Sequence, residues 1–193
     1  MFQVRIHGRG GQGVVTAAEM LSVAAFLHGR HSQAFPSFGS ERMGAPVVAY
    51  CRIDTVPIRT HDPVSEVDCL VVQDPTLLHE VDVFSGLHYD SYLLINSERT
   101  FAQLGVEDIA RGRRVERMLT VPATDLARQY IGRPVPNTAL LGGLAALTDV
   151  VPLTAVLAAI RRRFKGELAD ANAMAASAAA AYVRAEREAA RHA

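Results

Sequence analysis

The sequence predicts an α/β fold of three layers, with a mixed, mainly parallel sheet and helices at the C-terminal end. Three observations favour this class. The chain opens with a strand pattern, a glycine-rich turn and a helix pattern; short, almost wholly apolar runs recur in its middle; and its last third favours helix. The chain has 193 residues and no linker-like segment, so we expect a single domain over residues 1–193.

The opening of the chain predicts a Rossmann-like unit. Apolar and polar residues alternate over residues 2–7, which is typical of a strand. The next segment, Gly8-Arg-Gly-Gly-Gln-Gly13, is poor in side chains, and apolar residues then recur at helical spacing up to a terminating glycine, Gly29. Such a turn places backbone N–H groups at the positive end of a helix dipole. It therefore suits an anion or the close approach of another chain.

The following segment, residues 29–46, is predicted to be a loop because it is rich in glycine, proline and serine. It also carries aromatic and charged side chains, and long loops in compact domains are usually functional. Residues 47–53 have the pattern of a strand. Residues 56–59 are expected to pair with it across a turn at Asp54 and Thr55.

Three later apolar runs, residues 69–74, 92–96 and 118–121, predict interior strands of the sheet. The first two end in polar residues, Asp74 and Asn96. In parallel sheets, functional sites gather at the carboxyl ends of the strands. We therefore expect Asp74 and Asn96 to lie near the glycine turn.

The remainder of the chain is predicted to be helical. Residues 125–131 favour a short helix capped by Thr124 or Asp125, and Asn137 is the predicted cap of the next helix. The pair Gly142-Gly143 lowers the helix propensity of that second segment. We therefore expect the pair to permit a close contact with another helix.

Composition argues against several classes of function. The formal net charge is zero, so we expect no nucleic-acid partner. No apolar run approaches a membrane span and the first residues lack a signal-peptide pattern, so we expect a cytoplasmic protein without a membrane partner. Cys51 and Cys69 are too few and too far apart for a metal site or a disulfide framework, and no metal site is expected. The chain contains no complete catalytic set, so no catalytic residue is assigned.

The glycine turn also matches the dinucleotide fingerprint G-x-G-x-x-G in a strand-to-helix context. The acidic residue expected about twenty positions later is absent, since that region holds His28, His31, Ser32 and Gln33. A tight turn that packs the helix against the sheet is therefore the stronger interpretation. A stand-alone dinucleotide-binding reductase and a non-catalytic scaffold module stay open as alternatives.

Two long blocks resemble the gamma subunit of the pyruvate:ferredoxin/2-ketoisovalerate oxidoreductase family, a family of 2-oxoacid:acceptor oxidoreductases. They are residues 8–18 and Phe35-Pro-Ser-Phe-Gly-Ser-Glu-Arg-Met-Gly-Ala-Pro46. Shorter matches extend the resemblance over essentially the whole chain: Arg52-Ile53, Gln73-Asp74-Pro75, Leu77-Leu78, Ile95-Asn96-Ser97, Asn137, Gly142-Gly143 and Asn172.

The resemblance implies a subunit of an enzyme that oxidatively decarboxylates a 2-oxo acid to an acyl-CoA and passes electrons to ferredoxin or NAD. It implies alpha- and beta-type partner chains that bind thiamine diphosphate and Mg²⁺, and a ferredoxin-like delta chain that carries 4Fe–4S clusters. In some members an FAD- or NAD-binding chain is added. CoA is a substrate of the complex, and no cofactor is expected on this chain alone. Pyruvate, 2-oxoglutarate, branched-chain and aromatic 2-oxo acids, including phenylglyoxylate, all stay open as substrates.

On this basis we expect two loops, Gly8–Gly13 and Ser37–Ala45, to face the catalytic chains and to support the active site and the CoA region. They contain small residues that permit close backbone approach, and Glu41 and Arg42 are expected to fix the register through charge-assisted hydrogen bonds. The expected interface residues are Gly8, Gly10, Gly11, Gln12, Gly13, Ser37, Phe38, Gly39, Glu41, Arg42, Gly44, Asp74 and Asn96.

Overall fold

The computed structural model describes residues 1–37, 43–60 and 62–192. Within these ranges, six strands form one sheet in the order β2-β3-β1-β4-β5-β6. The strands are β1 (Phe2–Arg9), β2 (His31–Pro36), β3 (Pro46–Asp54), β4 (Val67–Val72), β5 (Leu87–Asn96) and β6 (Met118–Val121). β1, β4, β5 and β6 pair in parallel, whereas β3 runs antiparallel to both neighbours. The predicted mixed, mainly parallel sheet is therefore confirmed.

The described helices cover the two faces of the sheet unequally. They are α1 (Val14–Leu27), α2 (Glu107–Ala110), α3 (Ala123–Ile131), α4 (Asn137–Thr148), α5 (Leu153–Arg163) and α6 (Gly166–His192). Apolar residues of α1, α4, α5 and α6 form one core with one face of the sheet. The other face is covered by a thinner layer that includes the 3-10 helix Pro75–His79 and α2. The three predicted layers are present, and the second covering layer is the thin one.

The strand, turn and helix predicted at the start of the chain are confirmed. β1 leads into the glycine turn, and α1 begins directly after Gly13, whose φ of 71° is in the left-handed region. Gly29 follows the end of α1 with a φ of 76°. Glycine suits both positions because positive φ carries no steric cost without a Cβ atom.

The Gly142-Gly143 pair permits the close helix contact that the sequence predicts. α4 is buried along its whole length. A Cβ atom on Gly142 would lie 1.9 Å from the backbone oxygen of Ala176 on α6. Glycine at this position therefore allows the α4 backbone to approach the α6 backbone directly.

Two predictions about strands are wrong. Residues 31–36 were expected in a loop, but they form the edge strand β2, paired in register from His31↔Asp54 to Pro36↔Ala49. Residues 56–59 do not form a strand, because β3 pairs with β1 and β2 instead. Both errors have one cause: these pairings join segments that are distant in sequence, and local patterns do not specify such partners.

The two predicted helix caps are also wrong. α3 begins at Ala123 with Pro122 at the N-cap position, and the N-cap residue itself makes no side-chain capping hydrogen bond. Asn137 is the first residue of α4 rather than its cap, which is Pro136. Asn96 on β5 accepts a hydrogen bond from the Thr124 N–H over 3.0 Å, so a side chain from the sheet satisfies one N–H of the first turn.

Across the described ranges, no helix has the combination of length and apolar character that a bilayer crossing requires.

Candidate functional site at the carboxyl edge of the sheet

The glycine turn is joined to the end of β4 by side-chain hydrogen bonds of Gln12. Its Nε2 donates to Asp74 Oδ2 over 2.7 Å, and its Oε1 accepts the Arg9 N–H over 2.8 Å. Gln73 Nε2 donates to the backbone oxygen of Gln12 over 3.0 Å. The expected proximity of Asp74 to the glycine turn is therefore observed.

Asn96 extends this network to the end of β5. Its Nδ2 donates to the backbone oxygen of Gln73 over 2.7 Å and to Thr124 Oγ1 over 2.8 Å. Asn96 thus reaches the glycine turn through Gln73, as its position at a strand end predicts. Gln73 was missed as a site residue, although a polar residue at the tip of an apolar strand is the signal that could have identified it.

Arg9, the last residue of β1, joins two further segments at this edge. Its Nη2 lies 2.5 Å from both Thr76 Oγ1 and Glu80 Oε1, and its Nη1 donates to the Gly44 oxygen over 3.2 Å. Its Nε lies 3.4 Å from Asp74 Oδ2. One guanidinium therefore joins the end of β1, the segment before β3 and the 3-10 helix.

Asp74 is a charged acceptor at the centre of the network. Burial alone would raise the pKa of this carboxyl, but hydrogen bonds from Thr76 and Gln12 and the charge of Arg9 outweigh burial and lower the pKa. Asp74 is also the N-cap residue of the 3-10 helix, where its side chain accepts a hydrogen bond from the Thr76 N–H over 3.0 Å. Asp74 is therefore ionised at neutral pH and holds the turn and the 3-10 helix together.

Residues 43–45, at the described end of the second predicted loop, lie against the glycine turn. The Gly10 N–H donates to the Ala45 oxygen over 2.9 Å, and the Gly44 N–H donates to the Gly10 oxygen over 3.0 Å. Gly11 has a φ of 95°, and a Cβ atom there would lie 2.5 Å from Met43 Sδ. A hollow of about 290 Å³ lies beside them, lined by both the turn and the first turn of α1. The turn and residues 43–45 thus form one continuous surface.

A second feature, on the thinly covered face of the sheet, was not anticipated from sequence. Arg5, His7 and Arg9 are alternate residues of β1, and Arg5 Nη2 donates to the Val83 oxygen over 2.7 Å. His7 is only 6% exposed, and neither ring nitrogen has a hydrogen-bond partner among the described residues. Burial and the charge of Arg5, opposed by Asp82, lower the pKa of His7 to about 4. The imidazole is therefore neutral at pH 7.

The described residues do not fit an iron–sulfur cluster. Cys51 and Cys69 are buried on the strands either side of β1, and both pair with Val4. Burial raises the pKa of both thiols, so they stay protonated. Within the described part of the chain, no group of three or more metal-ligating side chains is assembled.

A model of the family described as pyruvate ferredoxin/flavodoxin oxidoreductase matches residues 3–182. The chain belongs to this family. It is 46% identical over 176 residues to the pyruvate/ketoisovalerate oxidoreductases common subunit gamma of Pyrococcus abyssi, covering 91% of this chain and 94% of the relative. It is 44% identical to the pyruvate synthase subunit PorC of Methanothermobacter marburgensis, again covering 91% of this chain and 94% of the relative. The resemblance to gamma subunits that the sequence shows is confirmed.

The fold agrees with a solved structure of a family member. The pyruvate oxidoreductase subunit PORC of Thermotoga maritima superimposes with a TM-score of 0.80 at 37% identity, covering 93% of this chain and 95% of that chain. The α/β architecture predicted from the sequence is therefore the architecture of this relative.

In this gamma-type chain, most of the expected interface residues lie at one edge of the sheet. The structure brings the glycine turn, Gly44, Asp74 and Asn96 together through the hydrogen bonds above. Ser37 lies just after β2, where its N–H donates to the Val48 oxygen over 2.8 Å. Four further expected residues lie outside the described ranges: Phe38, Gly39, Glu41 and Arg42.

Proposed function

We propose that this chain is the gamma subunit of an enzyme that oxidatively decarboxylates pyruvate or a related 2-oxo acid to an acyl-CoA, with ferredoxin as electron acceptor. The observation that carries the proposal is the family match over residues 3–182, together with relatives of 44–46% identity that are named as pyruvate or ketoisovalerate oxidoreductase subunits. We place the complex in the cytoplasm.

The proposed role of the chain is to pack against the catalytic chains with the carboxyl edge of its sheet. In such an enzyme thiamine diphosphate, bound by the alpha- and beta-type chains, supplies the electron sink for decarboxylation. Reactive intermediates must be kept from water, which favours extensive packing between chains. The glycine turn supports this role, because backbone without side chains permits close approach, and the Gln12–Asp74 bond holds the turn in place.

The iron–sulfur clusters are assigned to a ferredoxin-like delta chain. The two buried, separated cysteines of this chain do not fit a cluster, and this supports the assignment. An FAD- or NAD-binding chain is the alternative route for electrons. CoA is a substrate of the whole complex.

Tagged purification of the chain from its native host tests the proposal. We expect thiamine-diphosphate-binding chains and a chain with cysteine-rich cluster motifs to co-purify. The complex should then reduce a viologen dye with CoA and one or more members of a panel of 2-oxo acids: pyruvate, 2-oxoglutarate, 2-ketoisovalerate and phenylglyoxylate. The substrate that gives activity identifies the specificity of the complex.

The isolated chain is the control in the same assays. We expect it to show no turnover and no saturable binding of NAD, NADP or FAD. A chain that purifies alone and turns over a substrate without partners would contradict the proposal and favour a stand-alone reductase.

A further inference from the structure

Asn137 is a buried polar side chain that contacts the glycine turn from the helical layer. It is 5% exposed and is the first residue of α4. Its Nδ2 donates to the backbone oxygen of Gly13 over 3.3 Å, across 124 positions of sequence. Its Oδ1 accepts the Thr138 N–H over 2.9 Å, so both ends of the amide are hydrogen-bonded.

The same side chain occupies the space beside Gly13. A Cβ atom on Gly13 would lie 2.5 Å from Asn137 Nδ2, which is closer than two non-bonded atoms can approach. The Gly13 oxygen also accepts the Ala17 N–H over 2.9 Å, as the first residues of α1 form. Asn137 therefore contacts the one residue at which the turn ends and α1 begins.

The glycine turn is thus attached to two layers of the fold through adjacent residues. Gln12 bonds to Asp74, in the segment after β4, and Gly13 bonds to Asn137, at the start of α4. Glycine-rich backbone has few side chains of its own and many accessible conformations. The shape of the turn therefore depends on these two attachments.

A second buried asparagine, Asn172 on α6, fixes the start of α4 without contacting the turn. Thr138 Oγ1 donates to Asn172 Oδ1 over 2.9 Å, and Asn172 Nδ2 donates to the Leu168 oxygen over 2.7 Å. Within the described ranges, the Asn172 side chain forms no hydrogen bond with residues of the turn. Buried polar groups that are fully bonded favour one arrangement of the elements that carry them. Asn172 thus serves the contact between α4 and α6, whereas Asn137 serves the turn.

We propose that Asn137 is a positioning residue of the carboxyl edge, which holds the glycine turn, through Gly13, in the shape that the catalytic chains bind. A segment that is already ordered loses less conformational entropy when a partner binds it. The inference rests on the proposed function. It adds a buried residue, outside the expected interface, that acts on the partner chains only through the turn.

Hydrogen exchange of the isolated chain tests the contact with Gly13. Asn137→Asp keeps the shape of the side chain and the acceptor for the Thr138 N–H, but an oxygen replaces the donor that faces the Gly13 oxygen. We expect the amides of Gln12 and Ala17 to exchange about tenfold faster or more, because a buried acceptor loses its donor and the turn opens locally.

Asn172→Asp is the matched control, because it makes the same substitution at the other buried asparagine of the same helix pair. We expect it to change the exchange of the Gln12 and Ala17 amides by less than about threefold, even where urea unfolding shows a loss of global stability. Asn137→Ala and Asn172→Ala repeat the comparison without a new charge, and the same order is expected.

The dissociation constant between each variant and the remaining subunits of the enzyme, purified from a host that lacks the chain, tests the consequence for assembly. Asn137→Asp should weaken binding about tenfold or more, and Asn172→Asp less than about threefold. Faster exchange of the turn with an unchanged affinity would overturn the inference while the proposed function stands.

Two results of the exchange experiment would overturn the positioning role by themselves. One is unchanged exchange of the Gln12 and Ala17 amides in both Asn137 variants. The other is equal acceleration in the Asn137 and Asn172 variants, because loss of helix packing would then explain the effect. No binding by the unchanged chain would instead overturn the proposed function, and with it the assembly role of Asn137.

Discussion

Gln12 Nε2 donates a hydrogen bond to Asp74 Oδ2 over 2.7 Å, between residues that are 62 positions apart in the sequence. This bond joins the turn after β1 to the segment after β4. The two strands are parallel neighbours, so their carboxyl ends meet at the same edge of the sheet. The shape of the carboxyl edge of the sheet therefore depends on side chains as well as on the glycine turn.

Asp74→Ala should destabilise the chain by about 1–3 kcal/mol, because the partners of Asp74 lose a charged acceptor. Those partners are Gln12, Thr76 and Arg9. Urea unfolding measures the change. Asp108→Ala is the control, because Asp108 forms an exposed ion pair with Arg111. This substitution should lower the free energy of unfolding by less than about 0.5 kcal/mol. Equal losses for the two variants would show that the Asp74 network does not stabilise the turn.

His7 should make the stability of the chain sensitive to acid. Its pKa is lowered from 6.5 to about 4 in the folded chain, so below pH 6.5 the unfolded chain takes up a proton that the folded chain does not. The free energy of unfolding therefore falls as the pH decreases from 6.5 towards 4, by up to about 3 kcal/mol from this residue. Above pH 6.5 His7 makes no pH-dependent contribution.

Unfolding of a His7→Gln variant at pH 7 and pH 4.5 measures this contribution. Glutamine does not titrate. Between pH 7 and pH 4.5, the free energy of unfolding should therefore fall by about 2 kcal/mol less in the variant than in the unchanged chain. His88→Gln, at an exposed position beside Asp68, is the control. The same acid-dependent loss in the His7→Gln variant and the unchanged chain would refute the assignment to His7.

Gly142→Ala should be far more damaging than Gly143→Ala. The new Cβ at residue 142 would lie 1.9 Å from a backbone oxygen, which cannot move without shifting α6. At residue 143 the nearest atoms are side-chain carbons of Leu94 and Val183 at 3.2 and 3.3 Å, which can give way. We expect Gly142→Ala to lower the free energy of unfolding by about 3 kcal/mol or more. For Gly143→Ala we expect a change within about 1 kcal/mol, because alanine also improves helix propensity.

Urea unfolding of the two alanine variants makes this comparison. Both positions lie on one buried helix, so helix propensity is the same in the two cases. A similar stability for both variants would mean that α4 and α6 are not in direct backbone contact at Gly142.

Gly11→Val should weaken binding to the catalytic chains by about tenfold or more, because a Cβ atom at residue 11 would lie 2.5 Å from Met43 Sδ and the new side chain would reshape the surface of the turn. Gly112→Val is the matched control. It carries the same backbone strain at a φ of 75°, with nothing within 4 Å of its Cβ position. Co-purification with tagged variants measures the effect. An intact, active complex with Gly11→Val would argue against a role of the turn in the interface.

The strand, turn and helix at the start of the chain, and the position of Asp74 near the glycine turn, were predictable from the sequence. Residues of β1 and α1 follow simple periodicities, and the polar tips of apolar strands identify the carboxyl edge. The close contact at Gly142 was also predictable, since paired glycines in an apolar helix rarely serve another purpose. The sequence signals for these features lie in neighbouring residues, although the contacts themselves join distant parts of the chain.

The features that sequence reasoning missed depend on distant residues. β2 has little apolar alternation, and its strand form is fixed by pairing with β3. His7 was interpreted as one of the polar residues of an alternating strand, but the thinly covered face buries it. Gln73 lay within a predicted strand, and its hydrogen bond to the Gln12 oxygen crosses 61 positions of sequence. The polar tip of an apolar strand marks Gln73 as a candidate, but local patterns do not specify which distant group each of these residues contacts.

Hydrogen exchange of the chain, free and within the purified complex, tests most directly whether the carboxyl edge is the surface that faces the catalytic chains. We expect complex formation to protect peptides that cover residues 8–16 and 43–48, while peptides from the outer face of α6 exchange as they do in the free chain. Protection confined to α5 and α6, with the glycine turn exchanging at an unchanged rate, would contradict the proposed interface.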